Sequence, residues 1–109
     1  MIQGFEAVAE AVDRVRQLLL AYGDDFTVPR LATLSDQLRN GDKTAVVSAV
    51  SEATGGMGSL NDRYLHPDNG DKIGAHELDA VNKRLTGLVK NIEVAARAAA
   101  AASYIRLIR

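Results

Sequence analysis

The residues best suited to chemistry lie together in one interruption of an otherwise helical sequence, from Gly55 to Gly70. Serine, histidine, arginine, tyrosine and several acids are packed into this stretch. Glycines, a proline and Asn/Asp pairs recur among them, and such residues do not continue a helix. We therefore expect a long glycine-rich loop that the surrounding helices hold in place, and we expect the function to lie there.

Ser59 and His66 are the residue types of a nucleophile and its base, and Asp62, Asp68 and Asp71 are the types of metal ligands. However, Ser59 has no nucleophile-elbow sequence around it, and neither a His-Glu-x-x-His pattern nor a calcium loop occurs. The glycine run also lacks the Gly-Lys-Ser/Thr of a phosphate-binding loop. We predict no enzyme, no catalytic residue, no metal site and no cofactor. The alternative is a small-ligand-binding or hydrolytic enzyme with its pocket at the loop.

Several loop residues have a structural interpretation instead. The Ser59 side chain is expected to accept backbone N–H groups and to begin a short helical turn, with Asp62 as its partner. The Asn61 side chain should bond the backbone of the loop itself. Met57 and Leu60 are expected to point inward as apolar anchors.

Elsewhere, apolar residues recur at steps of three and four, which predicts four amphipathic helices at residues 2–22, 28–39, 43–53 and 75–108. Gly23, Thr27 and Asp42 are the expected caps at helix ends. A strand is the alternative for the valine-rich third segment. The last segment is long enough to kink near Gly87 or to overhang the bundle. The fold class is therefore all-α, a compact four-helix bundle-like single domain over residues 1–109.

The composition is compatible with a cytoplasmic protein. It has no cysteine, which fits a reducing compartment. Its acidic N-terminus does not resemble a secretory signal, and no run of 18 apolar residues occurs. We therefore expect a cytoplasmic location and no membrane contact.

The net charge of −1 conceals an asymmetry along the chain. Residues 1–79 carry thirteen acids and seven bases, a net −6, whereas residues 80–109 carry one acid and six bases, a net +5. The basic end either complements acidic neighbours within the fold, or leaves an acidic face for a basic partner. A single basic cluster with few aromatic residues predicts no nucleic-acid binding.

The alanine run within Ala95–Ala102 gives the last helix a smooth surface that another backbone can approach closely. One interpretation is that this end packs on the first helix of the same chain. The other is a homodimer through the C-terminal helix, because exposed apolar residues at a helix end need a cover.

The run Gly-Gly-Met-Gly-Ser-Leu-Asn-Asp at 55–62, followed by Leu65-His66-Pro67 and Asn69-Gly70, resembles a motif of an uncharacterised family of small bacterial proteins. The resemblance is specific over the loop and general elsewhere, and it implies no activity and no catalytic residue. Arg63-Tyr64 stands where that family has a more apolar pair, so this segment is expected to pack differently here. Proteins of this type are similar to immunity partners of secreted toxins, which is an argument by analogy.

These observations favour a small cytoplasmic protein-binding module, in its most specific form an immunity protein that neutralises a bacterial toxin through the 55–71 loop and acidic neighbours. The predicted partner is a protein. For an immunity protein, that partner would be the cognate toxin. Acidic, rigid loops can steer toward basic active sites and block them. The predicted partner-binding residues are Asp24, Asp25, Met57, Asn61, Asp62, Arg63, Tyr64, His66, Asp68 and Asp71.

Overall fold

The computed structural model describes the backbone of residues 4–108 and the side chains of residues 4–102. Within this part of the chain the regular structure is entirely helical. The four helices are α1 (Phe5–Ala21), α2 (Thr27–Arg39), α3 (Lys43–Thr54) and α4 (Leu78–Ile108). The predicted all-α fold with a long last helix is confirmed, and the strand alternative for the third segment is wrong.

The helix ends show which residues act as caps. Gly23 follows α1 with φ +84°, as predicted for a left-handed cap. Asp42 accepts the N–H of Thr44 through its side chain at 2.9 Å, which confirms it as the cap of α3. Thr27, in contrast, is the first residue of α2 and donates its own N–H to the Asp24 carboxylate. The prediction that Thr27 caps α2 is therefore wrong, because Asp24 takes that role three residues earlier.

The first helix forms the centre of the core. It begins at Phe5 rather than residue 2, directly after Gly4 with φ +85°, and predicted helical residues 2 and 3 lie outside the described residues. Its apolar stripe packs against both α2 and α4. The largest side chains fully enclosed in the core come from three helices and the central loop: Leu19, Leu31, Leu38, Leu60, Leu65, Leu85 and Ile92.

The last helix runs without interruption from Leu78 to Ile108, through Gly87, and a kink near Gly87 stays a prediction. Ala96 and Ala99 are buried, and Ala99 lies close to Gly4, where an added Cβ would come within 3.3 Å of the Ala99 Cβ. The alanine-rich end therefore packs on the N-terminal end of α1, as the first interpretation predicted. Ala98 and Ala101 face outward, and a homodimer through them stays a prediction.

The central segment between α3 and α4 is irregular, as expected, and contains three short 3-10 turns at Leu60–Asp62, Pro67–Asn69 and Ala75–Glu77. Leu60, Leu65 and Ile73 are buried and tie the segment to the core at three points. Between them the backbone is largely exposed. The helices therefore support the segment along its length without enclosing it.

Candidate binding cleft

A cleft of about 390 Å³ lies where the central segment meets the turn between α1 and α2. Its lining comes from two stretches of chain that are far apart in sequence, residues 23–30 and residues 58–71. The Lys72 N–H donates to the Tyr22 carbonyl oxygen at 2.8 Å, which ties the end of the central segment to the end of α1. The cleft is therefore built by the tertiary fold and not by either stretch alone.

Arg63 joins the two sides of this cleft through its guanidinium group. Nε donates to Asp24 Oδ2 at 3.2 Å, and the two terminal nitrogens donate to the two carboxylate oxygens of Asp71. One terminal nitrogen also donates to the Tyr64 carbonyl oxygen at 2.8 Å. The Asp24 and Asp71 side chains are only 4% and 3% exposed, against 20% for Arg63. Such paired, hydrogen-bonded carboxylates can be buried because the arginine compensates their charge.

Asp24 has a second role at the start of α2. Its Oδ1 accepts the N–H of Thr27 at 2.7 Å and that of Phe26 at 3.1 Å, and so satisfies donors that the first turn of the helix leaves free. Burial raises the pKa of Asp24, but the hydrogen bonds from Thr27 and the Arg63 guanidinium outweigh it, and the net pKa lies below its usual range. The carboxylate is therefore held ionised in the native protein.

Asp71 organises the Pro67–Asn69 turn of the central segment. Its Oδ2 accepts the backbone N–H of His66 at 3.0 Å in addition to the arginine. The His66 Nδ1 accepts the backbone N–H of Asp68 at 3.0 Å, which caps the Pro67–Asn69 turn. The turn closes at Gly70 with φ +84°, a conformation that favours glycine. Asp68, Asn69 and Gly70 therefore form a closed turn after Pro67.

Asn82 on α4 fastens the middle of the central segment. Its Oδ1 accepts the Leu65 N–H at 2.7 Å, and its Nδ2 donates to the carbonyl oxygens of Leu65 and Leu78, both at 2.9 Å. The buried Leu65 thus has both backbone groups satisfied by one side chain. Sequence analysis missed Asn82, although a polar residue between Leu78 and Leu85 on the apolar stripe of the helix was a visible indication.

The glycine-rich turn after α3 is held by its own polar side chains. The Ser59 hydroxyl lies within donating distance of the carbonyl oxygens of Gly55 and Gly56, at 2.8 and 2.7 Å, and the Asn61 amide donates to Gly55 at 3.3 Å. The prediction for Asn61 is confirmed. The Ser59 side chain donates to carbonyl groups instead of accepting N–H groups, so that prediction is wrong, although a turn does begin after it.

At Gly55 an added Cβ would come within 2.5 Å of the Ser51 carbonyl oxygen, which excludes larger residues.

The outer edge of the cleft carries large apolar side chains. Phe26 lines the cleft and is 85% exposed, and Met57, directly before the lining residue Gly58, is 98% exposed. The prediction that Met57 is an inward anchor is wrong, because the glycine turn directs it away from the core, whereas Leu60 is buried as predicted. Tyr64 is half exposed, and its ring stacks with that of His66 at 6.3 Å between centroids.

The predicted acidic residues divide into two groups. Asp24 and Asp71 are buried and both pair with Arg63, so they form the frame of the cleft rather than a surface that reaches a partner. Asp25, Asp62 and Asp68 are exposed, and Asp25 and Asp62 also line the cleft.

The described residues do not assemble a catalytic pair or a metal-ligand cluster. Ser59 bonds the carbonyl groups of the glycine turn, whereas His66 is bonded to the turn at Asp68. Among residues 4–102 there is also no group of three His, Cys, Asp or Glu side chains placed to hold a metal ion. A second depression of about 300 Å³, between α3, α4 and the Leu60–Asp62 turn, is lined by Thr54, Thr86 and Lys90 among others.

Fold and site together define a small helical domain in which a half-buried arginine braces an open, acid-lined cleft. Residues 23–74 match the model of a family described as Domain of unknown function (DUF6966). The match covers just under half of the chain and supports an uncharacterised domain family, as the resemblance implied. It contains every residue that lines the cleft and leaves out both α1 and α4.

No curated protein and no solved structure matches the chain. In the described part of the chain, none of the helices combines the length and the apolar composition that crossing a bilayer requires.

Proposed function

We propose that this chain is a small protein-binding module that holds a partner protein against the cleft and its outer edge. The observation that carries the proposal is the exposure of Phe26 and Met57, 85% and 98%, on segments that are otherwise firmly anchored. Aromatic and methionine side chains are enriched at protein interfaces, where a few such residues supply most of the binding energy. The side chains stand at the edge of a concave surface that a partner can enter.

The anchoring of these two side chains supports a binding role in a second way. The α1–α2 turn before Phe26 is fixed by Asp24, and the segment after Met57 is fixed by Leu60 and by the Glu52 carboxylate, which accepts the Leu60 N–H at 3.3 Å. Segments that are ordered before binding lose less conformational entropy when the complex forms. The surface is therefore well prepared for a specific partner.

In its most specific form the proposal makes the chain an inhibitor, similar to immunity proteins that neutralise bacterial toxins. The exposed acids Asp25, Asp62 and Asp68, two of which line the cleft, favour a basic partner and rapid association with it. An enzyme that acts on a polyanionic substrate has such a basic surface, and a bound module would cover it.

Photo-crosslinking in cells tests the binding surface. Benzoylphenylalanine at position 26 or 57 should capture one and the same protein. The matched control positions are Val47 on α3 and Val94 on α4, which are also exposed apolar residues, 68% and 59%, but lie outside the cleft. Equal capture at the control positions, or none at 26 and 57, would contradict the proposal. The inhibitor role further requires that the captured protein arrests growth when expressed alone and that this chain restores growth.

A small-ligand-binding or hydrolytic function is the second candidate, and the size of the cleft favours it. A volume of about 390 Å³ falls within the range of small-molecule sites, roughly 300–1,000 Å³. A thermal-shift screen with metals, nucleotides and polar metabolites separates this candidate from the first. A ligand at 100 times its dissociation constant stabilises the folded state by about 2.7 kcal/mol, which such a screen detects easily.

A further inference from the structure

The formal charges of the side chains that line the cleft are unbalanced. The lining contains four carboxylates, Asp24, Asp25, Asp62 and Asp71, and two guanidinium groups, Arg30 and Arg63, which gives a net charge of −2. Arg63 is shared by the two buried carboxylates. The two remaining carboxylates, Asp25 and Asp62, have no ion-pair partner among the described residues, and both are exposed.

Both arginines are already paired with carboxylates of the chain itself. Four of the five Arg63 N–H groups are engaged, in bonds to Asp24, Asp71 and the Tyr64 carbonyl oxygen. Arg30 is held by Glu52 through two contacts, at 2.8 and 3.1 Å. A negatively charged group that entered the cleft would meet two unpaired carboxylates, and both cations are already paired with carboxylates of the chain itself. The net negative charge of the lining therefore disfavours anions.

The aromatic residue at the edge adds a second way to bind a cation, in addition to the carboxylates. Phe26 lines the cleft next to Asp25 in sequence, and most of its ring is exposed. The face of an aromatic ring attracts ammonium and guanidinium groups, and guanidinium groups most often. A carboxylate beside an exposed aromatic ring is a combination that recognises basic side chains, while the exposed Met57, which precedes the lining residue Gly58, offers an adaptable apolar contact.

We propose that the cleft receives an arginine or lysine side chain from a segment of a partner protein whose neighbouring apolar residues contact Phe26 and Met57. Asp25 and Asp62, from the two stretches that line the cleft, bind the cationic group, and Phe26 packs on it. The proposal rests on the protein-binding function above and specifies the chemistry of the partner. The proposal gives the four lining acids two different roles. Asp24 and Asp71 maintain the shape of the cleft, whereas Asp25 and Asp62 bind the cationic group of the partner.

Selection from a phage-displayed library of random heptapeptides on the intact protein tests this chemistry directly, with the library in place of the natural partner. We expect enrichment of peptides that carry arginine or lysine next to an aliphatic or aromatic residue. Synthetic peptides from the enriched set are then titrated by fluorescence anisotropy. Replacing their basic residue by glutamine should weaken binding by about tenfold, as expected for the loss of one well-placed charged contact.

The protein variant that tests the proposal is Asp25→Asn combined with Asp62→Asn. Its matched control, Asp36→Asn with Asp79→Asn, removes two exposed acids from α2 and α4 and changes the net charge by the same amount. We expect about tenfold weaker peptide binding for the first variant and unchanged binding for the second. Neither variant alters an ion pair of the described residues, so circular dichroism should show an unchanged fold.

The possible results separate this proposal from the broader one. Enriched peptides without a basic residue, no enrichment at all, or equal binding by the two paired variants would overturn the cation proposal. Peptide binding that is unchanged in Asp25→Asn/Asp62→Asn but lost in Phe26→Ala or Met57→Ala would support the protein-binding surface. The same result would refute its preference for a cation. Failed crosslinking at both positions 26 and 57 would instead refute the protein-binding function itself.

Discussion

Replacement of Arg63 by methionine is the most direct test of how the cleft is held together. Methionine keeps much of the length and the apolar stem of the side chain but removes the charge and every donor. The variant leaves the Asp24 and Asp71 carboxylates, 4% and 3% exposed, without their shared cation. It also leaves the Tyr64 carbonyl oxygen without the N–H that now lies 2.8 Å away.

The expected loss of stability follows from the burial of these groups. Breaking a buried ion pair by removal of one partner destabilises proteins by about 3–5 kcal/mol. We take the lower end, about 3 kcal/mol, because Arg63 itself is 20% exposed and water partly reaches the carboxylates from its side. With a urea dependence of about 1.5 kcal/mol per molar, the unfolding midpoint should fall by about 2 M.

The loss should depend on pH in a defined direction. The native pKa of Asp24 lies below its usual range, so its interactions stabilise the fold above about pH 3.9, the pKa of the unfolded chain, and are lost as the pH falls through the native pKa. Without Arg63, burial opposes ionisation of Asp24 and raises its pKa relative to the wild type. The difference in unfolding free energy between wild type and Arg63→Met should therefore shrink as the pH is lowered from 7 to about 3.

Urea denaturation followed by circular dichroism at several pH values measures both effects. Arg97→Met is the matched control, because Arg97 pairs with Glu93 on the surface of α4 and is 60% exposed. It should change the unfolding free energy by well under 1 kcal/mol. A loss for Arg63→Met no larger than that of Arg97→Met, or a difference that stays constant down to pH 3, would refute the assignment of Arg63 as the brace.

Three further substitutions test the supports of the central segment and the core. Asn82→Ala should destabilise the protein by about 2–4 kcal/mol, because it leaves buried backbone groups of Leu65 unsatisfied; hydrogen exchange of the Leu65 amide should accelerate with it. Leu65→Ala, at a fully buried site, should cost about 2–5 kcal/mol in urea unfolding through the cavity it leaves. Ala99→Leu should cost about 1–3 kcal/mol by overpacking the contact with Gly4, whereas the outward-facing Ala98→Leu should have little effect on the monomer. Retained stability in any of the first three would contradict the corresponding packing.

The helices could be predicted from sequence because their evidence is periodic and local. The apolar stripe of α1 recurs every three or four residues, and Asp42 caps α3 through a bond to a residue only two positions away. The cap of α2 illustrates the limit. Asp24 and Thr27 are both suitable capping residues, and the choice between them depends on where the chain enters the helix.

The position of the central segment could be predicted from sequence, but the burial of its individual residues could not. The segment has no regular apolar repeat that would separate buried from exposed positions. Met57 and Leu60 are both apolar, yet one is 98% exposed and the other 2%. The ion pair between Arg63 and Asp24 could not be predicted from local sequence patterns either, because the two residues are 39 positions apart in the chain. Long-range pairing of this type depends on the tertiary fold, which the sequence pattern of either stretch does not contain.

Two of the acids that line the cleft are buried and two are exposed, so their effects on stability and on recognition can be tested separately. Any change to Arg63, Asp24 or Asp71 removes a buried charge partner and therefore alters the shape of the cleft together with its charge. Asp25 and Asp62 are exposed and lack ion-pair partners among the described residues, so their neutralisation changes the electrostatic potential of the cleft while the frame stays intact. A binding defect in the Asp25→Asn/Asp62→Asn variant, at wild-type urea midpoint, would consequently reflect recognition. The same binding defect in Arg63→Met, accompanied by a fall of about 2 M in that midpoint, would reflect loss of the frame that presents those acids.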